Sequence, residues 1–148
     1  MATVEVSFTA LPAHVRTARL VATAVARRSG VPESMLDEVR LAVGEACSRA
    51  VEANRRASPA EPVRIALTDS GGRFQVEVTD TGAGPGGAAR PAGAGRAAGA
   101  GSDAALSGFG IAVIAGLADD VQVTQTAEGT SVLMSWPAAS AAVAPEPS

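Results

Sequence analysis

The 148-residue chain has one cysteine (Cys47), one histidine (His14), no lysine and no tyrosine, and aromatic residues are only 3% of it. Each scarcity excludes something. A lone cysteine rules out an internal disulfide and suits a reducing compartment. Without lysine there is no complete G-x-x-x-x-G-K-[ST] phosphate loop, so any phosphate contact must come from arginine or backbone N–H groups. No apolar run approaches the ~20 residues that span a bilayer. No basic leader followed by an apolar stretch opens the chain, so a cytoplasmic protein is expected. A net charge of −3 argues against general nucleic-acid binding, which needs a positive face.

What is present is a small-residue core. Hydrophobic residues make up 47%, mostly alanine and valine, in a length that fits one domain. Residues 2–8 alternate apolar and polar and predict a strand. Pro12 to Arg28 carries Val15, Leu20, Val21 and Val25 at helical spacing, with Gly30 as the stop. A second helix is predicted from about Glu33 to Arg55, with an apolar stripe of Leu36, Val39, Val43, Cys47 and Ala50. Cys47 therefore reads as a small buried hydrophobe, and His14 as an ordinary polar residue at a helix start.

Val63 to Thr68 and Phe74 to Thr79 read as paired strands around the turn Asp69-Ser-Gly-Gly72. Asp80-Thr-Gly-Ala-Gly84 follows. An Asp at a strand end can accept a hydrogen bond from an exocyclic amine, and alternate glycines let backbone lie close to a ligand; plain turn chemistry is the other reading. Residues 83–107 are nearly all Gly, Ala and Pro, with Arg90 and Arg96 embedded, and cannot bury enough apolar surface to order themselves. A flexible lid over a ligand is expected there, a bland spacer being the alternative. Gly108-Phe-Gly110 leads into a short helix, Ile111 to Leu117, and Val121 to Thr126 with Ser131 to Trp136 predict a last hairpin. Residues 137–148 are expected to be disordered. The fold class expected is α+β, a two-layer sandwich with helices on one face of a mixed sheet.

This order of elements, with Glu45-Ala-Cys-Ser-Arg-Ala-Val51 on the long helix, Asp80-Thr-Gly-Ala-Gly84, Gly108-Phe-Gly110-Ile111 and Gly129-Thr130, resembles the GHKL (Bergerat-fold) ATP-binding domain. Within it, the chain is most similar to the anti-sigma factor and serine kinase branch of bacterial partner-switching regulators, over about residues 2–136. The resemblance implies ATP or ADP as the cofactor. It makes Asp80 the acceptor of the adenine amino hydrogen, with Thr130 supporting the same edge. Gly82 and Gly84 would let the chain pass close to the nucleotide, and Gly108 and Gly110 would offer N–H groups and a positive helix end to the phosphates. Glu45 would be the general base for an attacking hydroxyl.

One position departs. Where the family carries the asparagine that holds Mg²⁺, this chain has Arg49. A guanidinium has no acceptor atom and cannot ligate a metal, so no metal ligand is assigned here. Residues 45 and 49 stack on one helix face, which predicts that Arg49 faces the phosphates and pairs with Glu45. Arginine also suits phosphate oxygens, so nucleotide binding without Mg²⁺ stays open. Asn54, nine residues from Glu45 at ~100° per residue, falls on the opposite side of the helix and cannot replace the lost ligand.

Two functions compete. One is an anti-sigma regulator that binds a sigma factor and/or a STAS-type anti-anti-sigma protein; the other is an active serine kinase phosphorylating that STAS-type protein. Position 49 favours the first. A sensor-kinase catalytic domain is weaker, for want of a phospho-acceptor helix. A homodimer is among the family's implications. Arg16, Arg19, Arg27 and Arg28 on the first helix suit an acidic partner or simply a solvated face.

Overall fold

The computed structural model describes residues 2–81 and 111–138. Strand β1 (Ala2–Phe8) leads into helix α1 (Ala13–Ser29), a short 3₁₀ turn (Glu33–Met35) and helix α2 (Leu36–Ala57). A hairpin follows, β2 (Val63–Ser70) and β3 (Arg73–Asp80), then helix α3 (111–117) and a second hairpin, β4 (Asp120–Thr126) and β5 (Gly129–Pro137). The strands form one five-stranded sheet in the order β1-β2-β3-β5-β4.

The two-layer α+β arrangement is the one expected, but all four ladders are antiparallel where a mixed sheet was expected. The reason is the number of helices between strands. Two helices separate β1 from β2, so the chain travels out and back and Phe8 ends opposite Val63, where β2 begins. β4 runs in the same direction as β3, because each pairs antiparallel with β5. The two do not touch, because β5 lies between them.

Local signals set the element ends. The chain leaves α1 through Gly30 at φ 94°, with its N–H on the Arg27 carbonyl and that of Val31 on the Ala26 carbonyl, the paired bonds of a left-handed glycine stop. Gly71 and Gly72, at φ 58° and 78°, make the two-residue β2–β3 turn, which only residues tolerant of positive φ can form.

The core lies between the sheet and α1/α2. α1 buries Val15, Ala18, Ala22 and Ala26, and the predicted α2 stripe of Leu36, Val39, Val43, Cys47 and Ala50 is wholly buried. Phe74 and Trp136, register partners on β3 and β5, are fully buried with ring centroids 6.2 Å apart. The Trp136 indole N–H donates to the Leu117 carbonyl at 3.1 Å and fastens the end of α3. β5 continues through Pro137, and Ala138 is buried with its N–H on the Gly72 carbonyl, so two residues expected in the tail take part in the fold. The proposed lid and the remainder of the tail lie outside the described residues. Among the described residues no helix is long and apolar enough to cross a membrane.

Candidate functional site

Along β3 the inward row is Phe74, Val76, Val78 and then Asp80, so strand alternation places a carboxylate at the end of an apolar stripe. Asp80 is 1% exposed. Its register partner on β5 is Thr130, also buried, so the structure brings these two expected site residues together. Gly129 makes the approach possible. A Cβ there would strike the Asp80 carbonyl oxygen and lie 2.7 Å from its carbonyl carbon and 2.8 Å from the Thr81 Cα. Any larger residue would push β5 off the strand end.

Helix α2 grips the same strand end from above. The Thr81 N–H donates to Asn54 Oδ1 at 2.8 Å, and Ser58 Oγ donates to the Thr81 carbonyl at 3.2 Å. Asn54 Nδ2 donates to the carbonyls of Glu61 (2.9 Å) and Pro62 (3.3 Å). Asn54 is fully buried with its amide spent on three backbone groups. Its structural role went unnoticed in the sequence. The available signal was an asparagine late in a helix, just before a Pro-rich exit. Thr81 Oγ1 is buried without a hydrogen-bond partner among the described residues.

Arg49 is where expectation and structure part. Its Nη1 donates to Asp80 Oδ2 at 2.9 Å, the side chains being 15% and 1% exposed. The expected pair with Glu45 does not form. The cause is desolvation. Asp80 is shut off from water and gains most from a cation, whereas half-buried Glu45 can be served by solvent. Two unit charges ~4 Å apart attract by about 4 kcal/mol at the effective dielectric of a partly exposed site. The guanidinium thus sits at the carboxylate that the resemblance assigns to base recognition. Glu45 has no ion pair or hydrogen bond among the described residues.

The neighbourhood on α2 is dry. Cys47 is fully buried, and burial pushes its thiol up to about 12, against a smaller opposing effect of the Arg19 guanidinium. Arg19 crosses from α1 over Gly44, whose missing Cβ would lie 2.6 Å from the Arg19 Cδ. Of the other first-helix arginines, Arg27 pairs with Glu33 at 3.2 Å on the surface. His14 Nδ1 lies 3.0 Å from the Thr9 carbonyl, and its ring stands edge-on to Phe8. Gly82, Gly84, Gly108, Gly110, Arg90 and Arg96 lie outside the described residues. Among those described, no group of three or more His, Cys, Asp or Glu converges as a metal site.

Residues 8–136 match the family model described as a histidine kinase-like ATPase domain. No curated protein matches the chain. Among solved structures it is similar to the RsbU and RsbW domains of Rv1364c from Mycobacterium tuberculosis, with a TM-score of 0.66 and 17% sequence identity. That match covers 93% of this chain and 33% of the other, so this chain spans about a third of that chain's length. At this identity the likeness speaks for the fold.

Proposed function

We propose that this chain, which belongs to the histidine kinase-like ATPase domain family, works as an anti-sigma-type regulator: it binds a sigma factor and/or a STAS-type anti-anti-sigma protein in the cytoplasm by partner switching, and phosphoryl transfer is not its main output. The fold likeness to a chain containing an RsbW domain supports the anti-sigma direction. The observation that carries the reading is Arg49. It stands where a metal-holding asparagine is expected, offers no acceptor atom, and is tied to the buried carboxylate of Asp80.

The residues present therefore do not fit Mg²⁺-ATP in the manner the family resemblance implies. Phosphoryl transfer depends on a metal to neutralise charge, and the described residues offer no substitute at position 49. In this reading Asp80 and Thr130 are the base-recognition pair, Gly82, Gly84, Gly108 and Gly110 line the nucleotide path, and ATP or ADP binds without a metal held by α2.

A serine kinase acting on the STAS-type protein is the second reading, and one observation favours it. Arg49 pairs with Asp80 and not with Glu45, which leaves the Glu45 carboxylate for the general-base role that the resemblance implies. The two are separated by mixing the purified chain with STAS-type and sigma proteins from its own cell, with ATP and either Mg²⁺ or EDTA. Complex formation indifferent to Mg²⁺, with no phosphate transferred, is expected. Rapid Mg²⁺-dependent phosphorylation of a serine on the partner would overturn the proposal, and a homodimer would show as doubled mass in the same samples.

A further inference from the structure

We propose that Arg49 is an internal ligand of the nucleotide site, holding the Asp80 Oδ2 oxygen that a base amine would otherwise use, so that nucleotide and Arg49 compete for that oxygen. This deepens the nucleotide-site reading above and rests on it. Three observations carry it. Asp80 is fixed by the fold, as the last inward residue of β3, with Thr130 opposite and Gly129 against its carbonyl. The residue after it is held by Asn54 and Ser58, so the backbone that carries the carboxylate is pinned at the strand end. Arg49 reaches it from α2 at 2.9 Å, and the pair is largely shielded from water.

The chemistry makes the competition unequal. A guanidinium N–H and the exocyclic N–H of an aminopurine are both planar nitrogen donors, and Asp80 can accept from either. The guanidinium adds full charge, and a charge-assisted bond is roughly twice as strong as one from a neutral donor. Arg49 is also covalently present, so its local concentration never falls. When the binding-competent form is a small fraction of the population, apparent affinity falls by that fraction. The consequence is a site that is closed by default and opens only when Arg49 leaves Asp80. A ligand or partner that offers a better anion to Arg49 would open it.

The test is calorimetric titration of the full chain with ADP in EDTA, using wild type, Arg49→Ala, Arg49→Gln, Asp80→Asn and the Arg49→Ala/Asp80→Asn double variant. Removing the guanidinium is expected to tighten ADP binding by about tenfold to a hundredfold, the equilibrium factor of the one charge-assisted bond that no longer has to be broken. That gain should vanish in the Asp80→Asn background. Arg49→Gln keeps volume and polarity, so it supplies the comparison if Arg49→Ala does not fold. Equal ADP affinity in wild type and both Arg49 variants would overturn the proposal, and so would a gain that persists without Asp80. No ADP binding by any variant would also overturn it, while leaving the partner-binding reading to stand or fall on complex formation.

Discussion

Asn54 gives the sharpest test of how the strand end is held. Its side chain accepts from the Thr81 N–H and donates to two carbonyls, Glu61 and Pro62, from a fully buried position. Asn54→Ala removes all three bonds and leaves their backbone partners to find water or go unpaired. At about 1 kcal/mol net for each bond, the loss is about 3 kcal/mol. For a chain of this size that lowers the melting temperature by about 10 °C. Asn54→Asp has nearly the same shape and keeps the acceptor for Thr81. It nevertheless turns an acceptor toward two carbonyl oxygens that now sit 2.9 and 3.3 Å from a donor, and it buries a charge. Its cost should equal or exceed that of alanine, at about 3–5 kcal/mol. Urea unfolding at pH 7, followed by the fluorescence of the sole tryptophan, Trp136, reads both variants. An Asp variant within 1 kcal/mol of wild type, on the order of a single hydrogen bond, would refute the donor assignment. An alanine variant that close would refute the clamp.

Gly129→Ala should displace β5 at the strand end and cost about 3 kcal/mol or more, because its Cβ meets fixed backbone at Asp80 and Thr81; thermal unfolding checks it. Gly44→Ala meets only the flexible Arg19 side chain, and the helix propensity gained, about 1 kcal/mol, should offset that contact, giving a change near zero in the same assay. The Cys47 thiol, raised from 9.0 to about 12 by burial, stays protonated in the folded chain while the unfolded chain ionises from pH 9 upward. Its contribution is therefore complete below pH 9 and is lost as pH climbs toward 12, at up to about 1.4 kcal/mol per pH unit. Urea unfolding of wild type against Cys47→Ser at pH 7, 9 and 10 should show a wild-type advantage that holds up to pH 9 and shrinks above it. Trp136→Phe should cost about 1 kcal/mol for the lost bond to the Leu117 carbonyl, plus the packing of the indole, read as a lower melting temperature.

The elements were legible because their signals are local. Residues 2–8 form β1 over the same span, Gly30 stops α1, and the two glycines after Asp69-Ser70 make the turn that joins β2 to β3. Strand direction was harder, since it depends on how many helices intervene between paired strands and on β5 entering between β3 and β4. Alternation along β3 makes the inward, buried position of Asp80 legible, whereas Thr130 opposite it was singled out only by the family resemblance. It was not legible where it depends on reach across the fold: Asn54 and Ser58 act on a residue more than twenty positions away.

Arg49 shows why spacing along a helix was not enough. The i, i+4 rule offers Glu45 as a neighbour, but exposed pairs of that kind contribute only about 0.3–0.5 kcal/mol. Against it stands a carboxylate that strand geometry has placed at the end of an apolar row, with almost no access to water. Leaving such a charge unpaired costs about 3–5 kcal/mol, an order of magnitude more than the helix pair returns. In a chain with a nucleotide seated on Asp80, a base amine meets part of that demand. Here a side chain meets it from within: Arg49 supplies the cation to the carboxylate. The pair thus neutralises the buried carboxylate at the strand end with no ligand present.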